Sequence, residues 1–112
     1  MPSISAKNLN QPTNQRTFID GSQRSVVILN SVAIGRGEYR PGWRWSKHAG
    51  PQTGKESTAH IGEILSGHMV IQTADKQQTR VGPGDAFEVG LGHDAWVVAD
   101  EPCIALDFEH LQ

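Results

Sequence analysis

The stretch GPGDAFEVGLGHDAWVV, Gly82 to Val98, decides how this chain is read. Pro83 locks its own φ between Gly82 and Gly84, two residues free to take positive φ, so the chain turns sharply before Phe87 enters a core. A short apolar run follows, and Gly90 and Gly92 then deliver His93 to the head of a second run, Ala95 to Ala99. Strand-length runs joined by such a turn indicate successive β-strands. The histidine between them is either a ligand at a barrel rim or the polar residue of a surface turn.

The same punctuation extends outward through the chain. Strand-length runs cover 25–34, 37–45, 59–66, 68–73, 78–81, 86–89, 95–99 and 103–108. Between them lie GRG, AGPQTGKES, ADKQ, GPGD, GLGHD and DEP, all rich in turn-forming residues. TADKQQT reads as a hairpin with Asp75 and Lys76 at its tip. No window sustains an apolar repeat at i, i+3, i+4 and i+7 beyond about one turn, so at most a fragment of helix is expected. The chain is therefore all-β, and regular short strands point to a sandwich or a closed barrel, which cover their sheet edges. Residues 1–20 are rich in Asn, Gln, Ser and Thr and form a polar arm, ordered only if something holds it; residues 21–112 form the barrel domain.

A chain of 112 residues supports one hydrophobic core. Ten Lys and Arg stand against twelve Asp and Glu, with no block of like charge to track a phosphate backbone, so nucleic acid is not an expected partner. Cys103, the single cysteine, lies in the apolar CIALDF and reads as a small buried hydrophobe, which suits a reducing cytoplasm. The N-terminus lacks the basic start and apolar run of a secretory signal, and no apolar stretch approaches membrane-spanning length, so no membrane association is expected.

With these runs in place, the order of a strand, a His-bearing loop, HIGEILSG, a hairpin, VGPGDAFEVGLGHDAWVV and a closing apolar strand resembles the cupins, small jelly-roll (double-stranded β-helix) barrels. The likeness spans Tyr39 to Phe108 and is strongest to small single-domain bacterial cupins with GWRWS-x-H, SG-x-M, and GHDAWVV followed by DEPC. The cupin motifs are Gly, five residues, His-x-His, three or four residues, Glu, six residues, Gly, and then Gly, five residues, Pro-x-Gly, two residues, His. On that pattern Gly67 closes the first motif, His60 stands where the glutamate ligand is usual, Glu56 at the second histidine and Gly54 at the first. In the second motif Gly84 and Gly92 match, Gly90 replaces the proline and Ala95 the histidine; His93, two residues earlier, shares the face of Ala95 if the strand is regular there.

What the resemblance implies is a site of His48, Glu56, His60 and His93 holding a divalent transition metal, Fe, Mn, Ni, Zn or Cu, since three imidazoles and a carboxylate suit those ions. Read by themselves, His48 and His93 in Gly-rich loops equally fit solvated residues, Glu56 a surface charge, and His60 a core histidine bonded to backbone. His68 and His110 fall outside this set. In EYRPGWRWSKH, strand alternation places Trp43 and Trp45 on one face and Arg44, Ser46 and His48 on the other. Arg40, Trp43, Arg44, Trp45, Phe87 and Trp96 are the expected walls of a pocket for a small organic ligand, with the arginines available to a carboxylate. Three readings compete: a metal-dependent dioxygenase or isomerase, a non-catalytic sensor or carrier of ligand or metal, and a purely structural dimer whose pocket is filled by its own side chains. Cupins are often dimers that exchange N-terminal strands, so a homodimer using the arm is expected.

Overall fold

The computed structural model describes residues 4–111. Among them nine strands form two antiparallel sheets that face each other as a jelly roll: β1 (Asn14–Thr17), β2 (Gln23–Ile28), β3 (Val32–Tyr39), β4 (His60–Ser66), β5 (Met69–Gln72), β6 (Gln78–Val81), β7 (Ala86–Val89), β8 (Asp94–Val97) and β9 (Cys103–His110). The larger sheet runs in the order β1-β2-β3-β9-β4-β7 and the smaller β6-β5-β8. Helical structure is limited to a π-helical turn at Trp45–Ala49 and one turn of α-helix, α1 (Gly50–Thr53).

Turn chemistry placed the later strands well: β6 and β7 begin and end where the Gly, Pro and Asp clusters put them, and Lys76 takes φ +73° at the tip of the β5–β6 hairpin. Gly84 takes positive φ in the GPGD turn, whereas Gly82 does not. The first half of the chain differs more. GRG is not a turn: Gly35, Arg36 and Gly37 lie in the middle of β3, and the expected run 25–34 is broken instead at 29–31, where Leu29 N–H donates to the Val32 carbonyl at 2.9 Å. The next run stops at Tyr39, so Trp43 and Trp45 do not share a strand face; Trp45 belongs to the π-helical turn.

Residues of the arm do form a strand. β1 is the edge of the larger sheet, held by its ladder to β2, and Asn10 Oδ1 accepts from Arg36 Nη2 at 2.7 Å, drawing the preceding residues over the outer face of the same sheet. Beneath them Ser25 and Val27 are buried although they point away from the barrel interior.

Cross-strand register sorts the larger sheet's inner face into rows. Arg16, Arg24, Gly37, Ala105 and Ile64 form one row, and Val26, Gly35, Asp107, Gly62 and Phe87 the next. Glycine and alanine dominate the middle of both rows, leaving room that longer side chains cross. Arg24 lays its guanidinium over Gly35 to meet Asp107 in a two-pronged ion pair, Nε donating to Oδ2 at 3.0 Å and Nη2 to Oδ1. A Cβ at Gly35 would lie 2.5 Å from Arg24 Nη2 and 2.7 Å from Asp107 Oδ1. A methyl group there must push the pair aside. Gly35→Ala is therefore expected to lower stability by roughly 1–3 kcal/mol, although alanine suits a strand better than glycine. An unchanged urea midpoint would show that the pair does not rest on this backbone.

Candidate functional site

The space between the sheets holds a cavity of about 230 Å³. One wall is aromatic: Phe18, Tyr39 and Trp43 pack as a trio with ring centres 4.2 to 6.1 Å apart, and Trp45 and Phe87 extend it. The larger sheet contributes Arg16, Arg24, Asp107 and Glu109, and the remaining polar end is His60 and His93 with Ser57 and Thr58.

The two imidazoles arrive from different sheets. His60 opens β4 in register with Val89 of β7, and its ring meets Phe87 edge-on at 5.8 Å. His93 precedes β8, where Gly92 at φ +75° turns the chain so that the side chain points inward with Ala95 and Val97; it is 6 % exposed. The ring centres of His60 and His93 lie 5.1 Å apart.

Each ring is oriented by backbone. His93 Nδ1 lies 3.0 Å from the Gly90 carbonyl and 3.2 Å from Ser57 Oγ, whose own proton goes to the His93 carbonyl at 2.5 Å. Both neighbours of Nδ1 are thus acceptors, so Nδ1 carries the hydrogen and Nε2 keeps its lone pair. His60 Nδ1 lies 3.2 Å from the Thr58 carbonyl, which fixes the same tautomer. Neither Nε2 has a protein hydrogen-bond partner among the described residues. Burial pushes the His93 pKa below its ordinary value and the neighbouring His60 adds to this, outweighing the opposing pull of the Gly90 carbonyl and Asp94. His93 therefore stays neutral near pH 7.

The other expected ligands are elsewhere. His48 folds back on its own π-helical turn, where Nδ1 accepts from Arg44 N–H at 3.0 Å, so a local hydrogen bond holds the ring away from the cavity. Glu56 is exposed, its carboxylate beside Gly92 rather than among the lining side chains. Structural transition-metal sites take four protein ligands and catalytic ones three. Among the described residues no three His, Cys, Asp or Glu side chains are grouped to hold a metal ion, so the donor set does not fit a resident Fe, Mn, Ni, Zn or Cu.

Of the expected pocket walls, Trp43, Trp45 and Phe87 line the cavity. Arg40, Arg44 and Trp96 do not. Arg40 reaches the Asp20 carbonyl at 3.3 Å across Gly21. Arg44 lies 4.3 Å over the Trp96 ring and donates from Nε to Asp94 at 2.8 Å. Asp94 also accepts from Ser46 N–H at 3.0 Å and Ser46 Oγ at 2.8 Å, tying the π-helical turn to β8. Burial alone would raise the Asp94 pKa, but hydrogen bonds from Ser46, Arg44 and Ala95 hold it below the usual value. The lining residues that the sequence did not point to include Arg16, Arg24, Asp107, Glu109, Tyr39, Phe18 and Ser57. For Arg24, Asp107 and Tyr39 the available signal was the alternation Gly35-Arg36-Gly37, read as a turn but in phase with a strand face that leaves them room.

The lowered His93 pKa sets a pH dependence. Its folded value lies below the unfolded value of about 6.5, so the unfolded chain takes up this proton first. Stability is thus full above about pH 7 and declines as pH falls through about 6.5. His93→Asn, which keeps an N–H for Gly90 and cannot titrate, should show a shallower decline in thermal midpoint; equal slopes for the two proteins would contradict a neutral, buried His93.

No protein-family model and no curated protein matches this sequence. Solved structures do match. An RmlC-like cupin from Shewanella frigidimarina NCIMB 400 superposes with a TM-score of 0.67 at 13% identity, over 96% of this chain and 94% of that one. KdgF from a Halomonas species gives 0.64 at 17% identity over 88% of each chain. The cupin-2 domain protein Rru_A2000 from Rhodospirillum rubrum gives 0.63 at 18% identity, over 97% of this chain and 68% of that one. At these identities the likeness concerns the fold alone: the chain is a small jelly-roll barrel that superposes on those cupins.

Proposed function

We propose that this barrel binds a small, single-ring organic molecule, with His60 and His93 as the polar end of the site. The observation that carries this is the pairing of two backbone-oriented imidazoles, both with unpartnered Nε2 atoms, at the end of an aromatic-walled cavity. A space of about 230 Å³ is below the roughly 300–1,000 Å³ of sites for drug-sized ligands, which limits the occupant to about one ring. Aromatic walls supply burial for the ring and the imidazoles fix its orientation. Binding, as in a sensor or carrier, is the function supported; the donor count argues against a dioxygenase or isomerase built on a resident metal.

Trp43 and Trp45 line the cavity and report its occupancy by fluorescence. Titration with phenol, benzoate, indole and cyclohexanol should give a saturable change for at least one ring compound. Ala105→Leu, which fills the cavity from the larger sheet, should weaken that binding tenfold or more; Ala95→Leu does the same from the opposite sheet if the first variant fails to fold. Binding indifferent to these substitutions, or no binding at all, would refute the proposal. One equivalent of Fe, Mn, Ni, Zn or Cu in protein purified without a histidine tag would refute its metal-free form.

A further inference from the structure

Building on that ligand-binding role, we propose that the bound ring carries two adjacent hydroxyl groups, donated one each to the Nε2 atoms of His60 and His93. The chemistry of the polar end dictates this. Nδ1 of both rings faces backbone carbonyls, so the hydrogen of each neutral imidazole is committed and the cavity meets two acceptors. A carboxylate, acceptor only, finds no donor on either imidazole. A single hydroxyl offers one hydrogen and leaves the second imidazole without a partner on the ligand. Two neighbouring hydroxyls supply two hydrogens from adjacent ring atoms, matching rings whose centres are 5.1 Å apart.

The charged groups point the same way. Arg24 is neutralised by Asp107, and the remaining lining charges are one cation, Arg16, and one anion, Glu109. Arg24 and Arg16 against Asp107 and Glu109 leave the carboxylates and guanidiniums of the wall in balance, favouring neither an anion nor an ammonium ion. Stacking walls on Trp43, Trp45 and Phe87 accept a flat aromatic ring or the apolar face of a saturated one. An aromatic diol and a cyclic aliphatic diol share the required chemistry.

Calorimetric titration of the full, chelator-treated chain at about pH 8, where imidazoles are neutral, distinguishes these sources. The probes are catechol, kept under nitrogen, and cis-1,2-cyclohexanediol, compared with 2-methoxyphenol, phenol and benzoate. At least one diol should bind, and catechol should exceed 2-methoxyphenol by about tenfold, the loss of one hydrogen bond. Binding by catechol alone assigns the aromatic source and binding by cyclohexanediol alone the aliphatic one; either supports the inference. His93→Phe and His60→Phe should each abolish the preference for the free hydroxyl, while the methylation series on the unaltered protein needs no variant to fold. Equal or tighter binding of 2-methoxyphenol, phenol or benzoate would overturn the diol while leaving the cavity a ring-binding site. Diol binding that appears only after a metal ion is restored would overturn the two-acceptor arrangement. If no ring compound binds, including those used on the cavity itself, both conclusions fall.

Discussion

The space between the two sheets is set by what the larger sheet does not carry. Gly35, Gly37, Gly62 and Ala105 stand on its inner face where a jelly roll of this size would otherwise place branched aliphatics. The vacated volume is crossed by long polar side chains, above all the Arg24–Asp107 pair lying over Gly35. A partly buried ion pair adds little net stability, because desolvation offsets much of the attraction, but leaving either partner alone is costly. The pair therefore constrains the interior more than it strengthens it: neither Gly35 nor its occupants can change separately. Tyr39 is part of the same arrangement, its phenol held above the ordinary pKa by burial and then by the Asp107 charge, and so neutral.

The smaller sheet supplies the opposite wall in ordinary apolar fashion, with Met69, Ile71, Ala95 and Val97 buried. Its distinctive contribution is at the rim. Asp94 gathers Ser46 and Arg44 on the outside while its neighbour His93 turns inward, so one dipeptide both fastens the covering turn and sets the polar end of the cavity. Ser57 completes this corner, bridging the segment before β4 to the His93 carbonyl, and Gly92 N–H returns a bond to the Ser57 carbonyl at 3.0 Å.

How far the sequence revealed this differs by residue. β5, β6 and β7 were legible because Gly, Pro and Asp flank them and do not interrupt them, and alternation across His93 and Ala95 placed the two on one face. GRG misled because glycine is the commonest turn signal, and only the opposing strand shows that here it makes room. Arg24 and Asp107 are 83 positions apart, a pairing that no local pattern encodes. Trp43 and Trp45 line one cavity although they are not on one strand, because the chain leaves β3 and coils over the barrel mouth. His48 stands outside the motif positions and was expected to fold back into the site in place of Gly54, yet the π-helical turn brings its ring to the Arg44 amide. Short-range hydrogen bonds of that kind compete with distant partners and are invisible to motif spacing.

The arrangement on which the account rests is two imidazoles lining one cavity, each with Nδ1 on a backbone carbonyl and Nε2 without a protein partner, and imidazole nitrogen resonances read it directly. In uniformly ¹⁵N-labelled protein at about pH 8, long-range ¹H–¹⁵N correlation spectra should show His60 and His93 both protonated at Nδ1 and unprotonated at Nε2. Protonation at Nε2 in either ring would mean that the Gly90 or Thr58 carbonyl does not hold its Nδ1 hydrogen, and would contradict the two-acceptor site.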